Sequence, residues 1–155
     1  MNKTIFMLVG LPCSGKSTFL SKIPNKVVVD TDSTIEMYAR YRGLSYNDVL
    51  KEYIDVAVKM MNEKVQECVR TGTSFYWDQT NLTEKSRKRK LAAIPKDWTK
   101  VAIVFETPIW EIERRMNLRD KKVPMGVVYD MQKTYQRPTV AEGFDTIIDY
   151  VPEDK

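Results

Sequence analysis

Short apolar runs alternate along this chain with longer stretches in which apolar residues recur every three or four positions. The short runs are rich in β-branched and aromatic residues and predict buried strands over residues 5–9, 26–30, 74–78, 101–105 and 146–151. Strands that alternate with helices form parallel sheets covered by helices on both faces. We therefore predict an α/β fold in a single domain over residues 1–155, with ligands at the carboxyl ends of the strands.

The longest periodic stretch predicts a helix between two boundary signals. Ser45-Tyr46-Asn47-Asp48 has the Ser-x-x-Asp form of a capping box, and Gly72 ends the helix. Val56 and Met60 widen its apolar stripe, so we expect most of its surface to be packed. Shorter helices are predicted at residues 31–41, 83–93, 109–119 (with Thr107 as the cap) and 124–135.

A phosphate-binding motif follows the first strand. Residues 10–17 read Gly-Leu-Pro-Cys-Ser-Gly-Lys-Ser, which matches G-x-x-x-x-G-K-[ST] between a strand and a helix. The glycines let the backbone turn tightly, so that N–H groups and the helix N-terminus point at an anion. We expect Lys16 to reach the β- and γ-phosphates of a nucleoside triphosphate and the Ser17 hydroxyl to ligate Mg²⁺. The predicted nucleotide-binding residues are Gly10, Pro12, Cys13, Ser14, Gly15, Lys16, Ser17 and Thr18.

Acidic and amide side chains follow the second and third strands. Because the chain contains no histidine, a carboxylate is the expected proton acceptor for any hydroxyl that it activates. We favour Asp32 as this base with Asp30 as its support, while helix capping by these acids stays open as an alternative. Asp78, Thr80 and Asn81 are expected to contact metal-bound water, nucleotide or substrate, unless they only stabilise a turn.

The composition is that of a soluble protein with one basic segment. No apolar run approaches the roughly 20 residues that span a bilayer, and two cysteines suggest no disulfide framework, so we expect a cytoplasmic protein without membrane contact. Five of the 25 Lys and Arg residues lie at positions 85–90, and without them basic and acidic residues nearly balance, 20 against 21. This basic run is either a solvated helix face or a contact for a phosphate backbone.

Three arginines cluster near the end of the helix predicted at residues 109–119. Arg115 and Arg119 are four residues apart, so they share a helix face and repel each other unless an anion lies between them. Together with Arg114 they are expected to surround phosphate groups. The alternative is a solvated helix end whose charges complement the helix dipole.

Taken together, these residues resemble the phage polynucleotide 5′-kinases and the small P-loop kinases around them, over nearly the whole chain. The matched positions are the phosphate loop, Asp32, Asp78 with Thr80-Asn81-Leu82, and Arg119. The resemblance implies a P-loop NTPase three-layer sandwich with a five-stranded parallel sheet and a small lid at about residues 115–124. It also implies ATP and Mg²⁺ as cofactors, Asp32 as general base on a 5′-hydroxyl of DNA or RNA, and contact of Arg119 with the transferring phosphate.

Two departures from the family pattern leave the acceptor open. Ile35 stands where the polynucleotide kinases carry an arginine that grips the substrate phosphate, and Gln79 interrupts their Asp-Thr-Asn signature. The acceptor is therefore a nucleic acid 5′-end or, alternatively, a nucleoside, a nucleoside monophosphate or a modified base in DNA. A nucleotide-binding switch is disfavoured, because no guanine-reading Asn-Lys-x-Asp element is present. The triphosphate base and the oligomeric state also stay open.

Overall fold

A five-stranded parallel sheet organises the computed structural model, which describes residues 2–120 and 123–151. Its strands are β1 (Thr4–Val9), β2 (Val28–Val29), β3 (Phe75–Asp78), β4 (Thr99–Val104) and β5 (Thr146–Asp149). They lie in the order β2-β3-β1-β4-β5, and every neighbouring pair is parallel. The predicted α/β fold with a five-stranded parallel sheet is confirmed.

The helices connect these strands. They are α1 (Lys16–Ser21), α2 (Asp32–Arg42), α3 (Tyr46–Thr71), α4 (Glu84–Leu91), α5 (Ile109–Leu118) and α6 (Met125–Thr134), followed by a 3₁₀ turn at Val140–Glu142. The segment predicted as a lid begins inside α5, and its residues 121 and 122 lie outside the described residues. None of the helices in the described ranges is long and apolar enough to cross a membrane.

Apolar side chains of alternating orientation give the sheet two buried faces. Met7 and Val9 of β1 pack in one cluster with Met61 and Val65 of α3. Leu8 points to the opposite face, where its cluster includes Leu20 of α1 and Phe105 after β4. Because both faces are covered, the strands are buried as parallel strands usually are, and ligands can reach the sheet at its carboxyl edge.

Helix α3 confirms its predicted ends but not its predicted packing. The capping box of Ser45 and Asp48 is formed, and Gly72 closes the helix with a φ of 68°. Val56 and Met60, which the apolar pattern assigned to the packed surface, are 43% and 45% exposed. The prediction that most of the helix is packed was wrong, because its buried stripe is narrow, with Ala57 and Met61 at its centre.

The strand order separates the first and second strands. Among the described strands β2 has β3 as its one neighbour, and β3 lies between β2 and β1. Asp78, at the end of β3, therefore ends the strand next to the phosphate loop, whereas Asp30 and Asp32 follow a strand one place further out. Because pairing between distant segments sets this order, the local sequence did not indicate that Asp78 follows the strand next to the phosphate loop.

Candidate active site

The phosphate loop, residues 10–17, has a backbone that only certain residues permit. A Cβ at Gly10 would lie 2.5 Å from Ser14 Oγ and 3.0 Å from the carbonyl oxygen of Phe105, so the loop packs too closely there for any side chain. Gly15 has a φ of 108° and Cys13 a φ of 64°. These left-handed values suit glycine and strain cysteine, as is common where a loop is shaped for a ligand.

The loop borders a cavity of about 510 Å³. Its lining residues are Cys13, Ser14, Gly15, Lys16, Ser17, Thr18, Lys22, Arg114, Arg115, Arg119 and Tyr150. The structure thus brings six of the predicted nucleotide-binding residues together with all three predicted arginines. Gly10 and Pro12 are not among the described residues that line the cavity, and Gly10 acts instead by allowing the tight turn.

Residues from α5 and from the segments that follow β3 and β4 brace the loop from outside. The Thr107 hydroxyl donates to the carbonyl oxygen of Ser14 at 2.8 Å, and Arg115 Nη1 donates to that of Cys13 at 3.0 Å. The backbone N–H of Gly10 donates to Thr80 O at 3.0 Å. Thr107 was predicted to cap α5, but the cap residue is Pro108 and no side chain caps the helix. Its hydroxyl holds the phosphate loop instead, because the carbonyl of Ser14 lies within its reach.

Lys16 is held inside the loop. Its Nζ donates to the carbonyl oxygen of Gly10 at 2.7 Å and to that of Gln79 at 3.4 Å. Burial lowers the pKa of Lys16 to about 8, although the negative charges of Asp78 and, less strongly, Asp32 oppose this change. A bound phosphate would add negative charge beside the ammonium and favour its protonated form.

The three arginines play different parts around the cavity. Arg114 and Arg115 both pair with Glu111, at 2.5 Å and 3.0 Å, and hydrogen bonds from them hold the pKa of that carboxyl at about 2. Arg115 also holds the phosphate loop, so two of its donors are engaged within the protein. Arg119 follows the end of α5, and its Nη1 lies 3.0 Å from Cys13 Sγ, at the mouth of the loop. Arg119 therefore contacts the side chain of Cys13, whereas Arg115 contacts the backbone of the same residue.

The two acids after β2 face different surroundings. Asp32 Oδ1 accepts a hydrogen bond from the Tyr46 hydroxyl at 2.6 Å, and the charge of Asp32 acts on Lys16. Asp30 accepts a hydrogen bond from Ser33 and lines a separate cleft of about 300 Å³ against Lys64 of α3. Burial raises the pKa of Asp30. The structure therefore associates Asp32, rather than Asp30, with the phosphate loop.

Asn81 has a role other than the substrate contact predicted for it. Its residue is 2% exposed, and its Nδ2 donates to the carbonyl oxygens of Leu8 at 2.7 Å and Gln79 at 3.3 Å. Its Oδ1 accepts from Lys90. With both polar atoms engaged in the interior, Asn81 ties the end of β3 to β1. The left-handed backbone of Asn81, with a φ of 48°, suits such a turn.

The basic run at residues 85–90 is divided between the interior and the surface. Arg87 is fully buried and forms a bidentate ion pair with Glu142. Its Nε donates to Oε1 at 2.6 Å and its Nη2 to Oε2 at 3.2 Å. Lys90 is 8% exposed and lies 5.5 Å from the ring centre of Trp77, and burial lowers its pKa to about 7. Lys85, Lys88 and Arg89 are exposed. The two interpretations from the sequence, a solvated helix face and a contact for a phosphate backbone, both require the run to lie on the surface. Both are wrong for Arg87 and Lys90, which are buried.

Several residues of the site carried no recognisable signal in the sequence. Lys22 and Tyr150 line the cavity, and Tyr46 contacts Asp32. Tyr46 follows the predicted cap Ser45, but nothing in its local pattern connects it with a residue 14 positions earlier. Such contacts depend on how the helices pack, which the local periodicity does not specify.

Position 35 lies in the core. Ile35 is fully buried and packs with Ala39, Val49 and Ala57 between α2 and α3. The polynucleotide kinases that the sequence resembles carry an arginine at this position. In this protein the position therefore contributes to helix packing and presents no positive charge to an acceptor.

A glycine-rich loop between β1 and α1, at the carboxyl edge of a parallel sheet, defines a P-loop phosphate-binding protein. The family model AAA_33, described as an AAA domain, matches residues 5–138, and the chain belongs to this family. The fold of the chain is that of P-loop kinases, as the following solved structures show.

A candidate kinase from Chloroflexus aurantiacus is similar over 96% of this chain and 89% of its own, with 15% identity and a TM-score of 0.69. A chain of the Pnkp1/Rnl/Hen1 RNA repair complex matches 86% of this chain with 21% identity and a TM-score of 0.67. This protein spans only 44% of that longer chain. A gluconokinase from Sinorhizobium meliloti 1021 matches 95% of this chain and 81% of its own, with 13% identity and a TM-score of 0.57.

The chemistry of the loop fits ATP and Mg²⁺, which P-loop kinases typically use. The buried Ser14 hydroxyl has no hydrogen-bond partner among the described residues, and Ser17 is exposed in the cavity. A hydroxyl oxygen is a hard ligand of the kind that Mg²⁺ prefers, the remaining ligands being phosphate oxygens and water. Ser17 would therefore hold the metal ion and Lys16 the phosphates.

Proposed function

We propose that this protein is an ATP-dependent kinase that transfers the γ-phosphate to a hydroxyl of a nucleic acid, most simply the 5′-hydroxyl of DNA or RNA. One observation carries the proposal. The phosphate loop with its partly buried Lys16 and the arginine at the end of α5 line one cavity, and the charge of Asp32, which follows β2, acts on Lys16. Phosphoryl transfer needs these three groups, to hold the donor, to neutralise charge and to take a proton.

Each group has one step in the proposed reaction. Lys16 and the loop N–H groups hold the β- and γ-phosphates, and Ser17 would hold Mg²⁺, which would supply further positive charge beside them. The acceptor oxygen forms a bond to the γ-phosphorus while the bond from that phosphorus to the β,γ-bridging oxygen breaks, which leaves ADP. Asp32 takes the proton from the acceptor hydroxyl. Arg119 contacts the phosphoryl group as charge develops on it.

Three observations support a nucleic acid as the acceptor. The likeness to a chain of an RNA repair complex covers 86% of this protein, and the sequence resembles the polynucleotide kinases at Asp32 and Arg119. Lys85, Lys88 and Arg89 also expose positive charge on α4 that a phosphate backbone could contact.

A small acceptor is the second candidate, and position 35 favours it. Ile35 is buried where the polynucleotide kinases place the arginine that grips a substrate phosphate. An acceptor without that phosphate, such as a nucleoside, a modified base or a sugar, would not need the missing guanidinium. The likeness to a gluconokinase over 95% of the chain is compatible with this alternative.

The test is a labelling experiment with a panel of acceptors. ATP labelled at the γ-phosphate is offered with 5′-hydroxyl DNA, 5′-hydroxyl RNA, nucleosides, nucleoside monophosphates, DNA with hydroxymethylated bases, and gluconate. We expect transfer to a 5′-hydroxyl end, and label on a base or a small molecule alone would establish the second candidate.

The Asp32→Asn variant tests the chemistry of the proposal on whichever acceptor is labelled. It should lower kcat by about 10²-fold or more, because the amide keeps the size of the side chain but cannot take a proton. Asp30→Asn is the matched control and should keep most of the activity. Loss of activity in Asp30→Asn with normal activity in Asp32→Asn would transfer the base role to Asp30.

A further inference from the structure

The first residue of α3 contacts the first residue of α2. Tyr46 donates its phenolic hydrogen to Asp32 Oδ1 at 2.6 Å, although 14 positions separate the two residues in the chain. We infer that Tyr46 is a positioning residue for the proton transfer, which holds the Asp32 carboxylate in the orientation that meets the acceptor hydroxyl. This inference rests on the proposed function, in which Asp32 is the base.

The first turn of α3 holds the side chain of Tyr46 in place. Ser45 Oγ accepts from the backbone N–H of Asp48 at 3.2 Å, and Asp48 Oδ2 accepts from that of Ser45 at 3.0 Å. This capping box fixes the first turn of α3, and Tyr46 is the first residue of that turn. The direction in which the ring leaves the helix is therefore set by two reciprocal hydrogen bonds.

The packing of α2 against α3 fixes the other side of the contact. The ring of Tyr46 packs against the cluster of Ile35, Ala39, Val49 and Ala57, which lies between the two helices. Further along the same pair of helices, the rings of Tyr38 and Tyr53 stack with centres 3.9 Å apart. Because the two helices are joined at several points, their first residues keep a fixed separation, and the hydrogen bond to Asp32 requires no rearrangement.

The charges around this contact support a phenol that stays a donor. Burial, and then the hydrogen bond to Asp32, raise the pKa of Tyr46 well above its ordinary range, with Glu36 acting in the same direction and Arg119 against it. Asp32 itself, like Asp78, acts through its negative charge on Lys16. Tyr46 therefore keeps its proton throughout the pH range in which a kinase works.

A donor on one carboxylate oxygen has a specific effect on a general base. Rotation of the carboxylate about its bond to Cβ would move its oxygens away from the acceptor, and the phenol prevents this rotation. Holding a reacting group in its productive geometry raises the rate of the chemical step, whereas it leaves binding of the nucleotide unaffected. The effect should therefore appear in kcat and not in the KM for ATP.

The experiment compares Tyr46→Phe with Tyr53→Phe on the acceptor that the labelling panel identifies. Both changes remove one hydroxyl from a ring of the same helix pair, but Tyr53 makes its described contacts through its ring. We expect Tyr46→Phe to lower kcat about 10-fold, while its KM for ATP and its Tm stay equal to those of Tyr53→Phe. Asp32→Asn is measured beside them.

Each outcome decides the inference. A normal kcat in Tyr46→Phe overturns it, and so does a loss of kcat that comes with a lower Tm and a higher KM for ATP, since that pattern shows a structural role. Where Asp32→Asn is inactive and Tyr46→Phe is normal, only the inference fails. Full activity of Asp32→Asn overturns both the base assigned in the proposed function and the positioning role that depends on it.

Discussion

The nucleotide side and the acceptor side of the site are built in different ways. The nucleotide side consists mainly of residues 13–18, which follow one another in the chain, with arginines from a single helix added to them. The proposed acceptor side draws Asp32, Tyr46 and Asp78 from three separate elements. A run of consecutive residues can be recognised as a motif, whereas the acceptor side exists only once the strands and helices have been arranged.

The two sides also differ in charge. Lys16, Lys22 and three arginines surround the nucleotide cavity, as a triphosphate requires. The proposed acceptor side carries carboxylates, and the negative charges of Asp78 and Asp32 act on the ammonium of Lys16. The shared fold explains the nucleotide side, and the acceptor side is where related kinases with different substrates are expected to diverge. The following predictions test this division, from the largest expected effect to the smallest.

Lys16→Ala should produce the largest loss. Removing the ammonium that holds the β- and γ-phosphates should lower kcat/KM by about 10³-fold for any acceptor. The Tm should not fall, because burial of this ammonium already disfavours its charged form. Lys22→Ala, which changes a second lysine of the same cavity, is the control and should lose far less. Equal activity of Lys16→Ala and the unaltered protein would contradict the assignment of the nucleotide side.

Arg119→Ala should lower kcat by about 10²-fold with a smaller change in the KM for ATP, because its contact strengthens as charge develops on the phosphoryl group. Arg114→Ala is the matched control, since Arg114 lines the same cavity but pairs with Glu111. Steady-state kinetics at several ATP concentrations separate the two constants. A rise in KM alone would make Arg119 a contact of the bound nucleotide only.

Lys90 should make stability depend on pH. Burial lowers the pKa of the Lys90 ammonium to about 7 in the folded protein, whereas in the unfolded chain this pKa is about 10.5. Between these values the unfolded state binds more protons, so the free energy of unfolding should rise with pH, by up to about 1.4 kcal/mol per unit. Lys16 should add a rise of the same sign above about pH 8.

Urea unfolding between pH 6 and 9 measures this rise, and Lys90→Met should flatten it above about pH 7. Lys88→Met is the control, because Lys88 is exposed and pairs with Glu84 on the surface. An identical pH dependence in Lys90→Met and the unaltered protein would show that folding does not lower the pKa of Lys90.

The smallest effect is expected from the exposed half of the basic run. Replacing Lys85, Lys88 and Arg89 by Ala should raise the KM for an oligonucleotide acceptor a few-fold at low salt. It should also flatten the dependence of that KM on salt concentration. The fold should tolerate the change, because exposed ion pairs such as Lys88 with Glu84 contribute little to stability. Arg87 and Lys90 are left intact, since both are buried. An unchanged salt dependence would separate this surface from the acceptor and favour a small acceptor.

The sequence predicted the elements that short-range rules govern. The alternation of apolar runs and periodic stretches predicted the parallel sheet, and the capping box and Gly72 predicted both ends of α3. The phosphate loop was recognised as a motif of consecutive residues, because consecutive backbone N–H groups form such a binding surface. Short-range signals suffice in these cases because the groups that interact are at most a few residues apart.

Only the tertiary structure decided how these elements meet. The position of β3 between β2 and β1 brought Asp78 next to the phosphate loop, and the orientation of α4 placed Arg87 and Lys90 inside. The packing of α2 on α3 brought Tyr46 to Asp32. These contacts follow from which faces are buried against each other. The local sequence shows that a helix has an apolar face, but the partner of that face is settled by the whole fold.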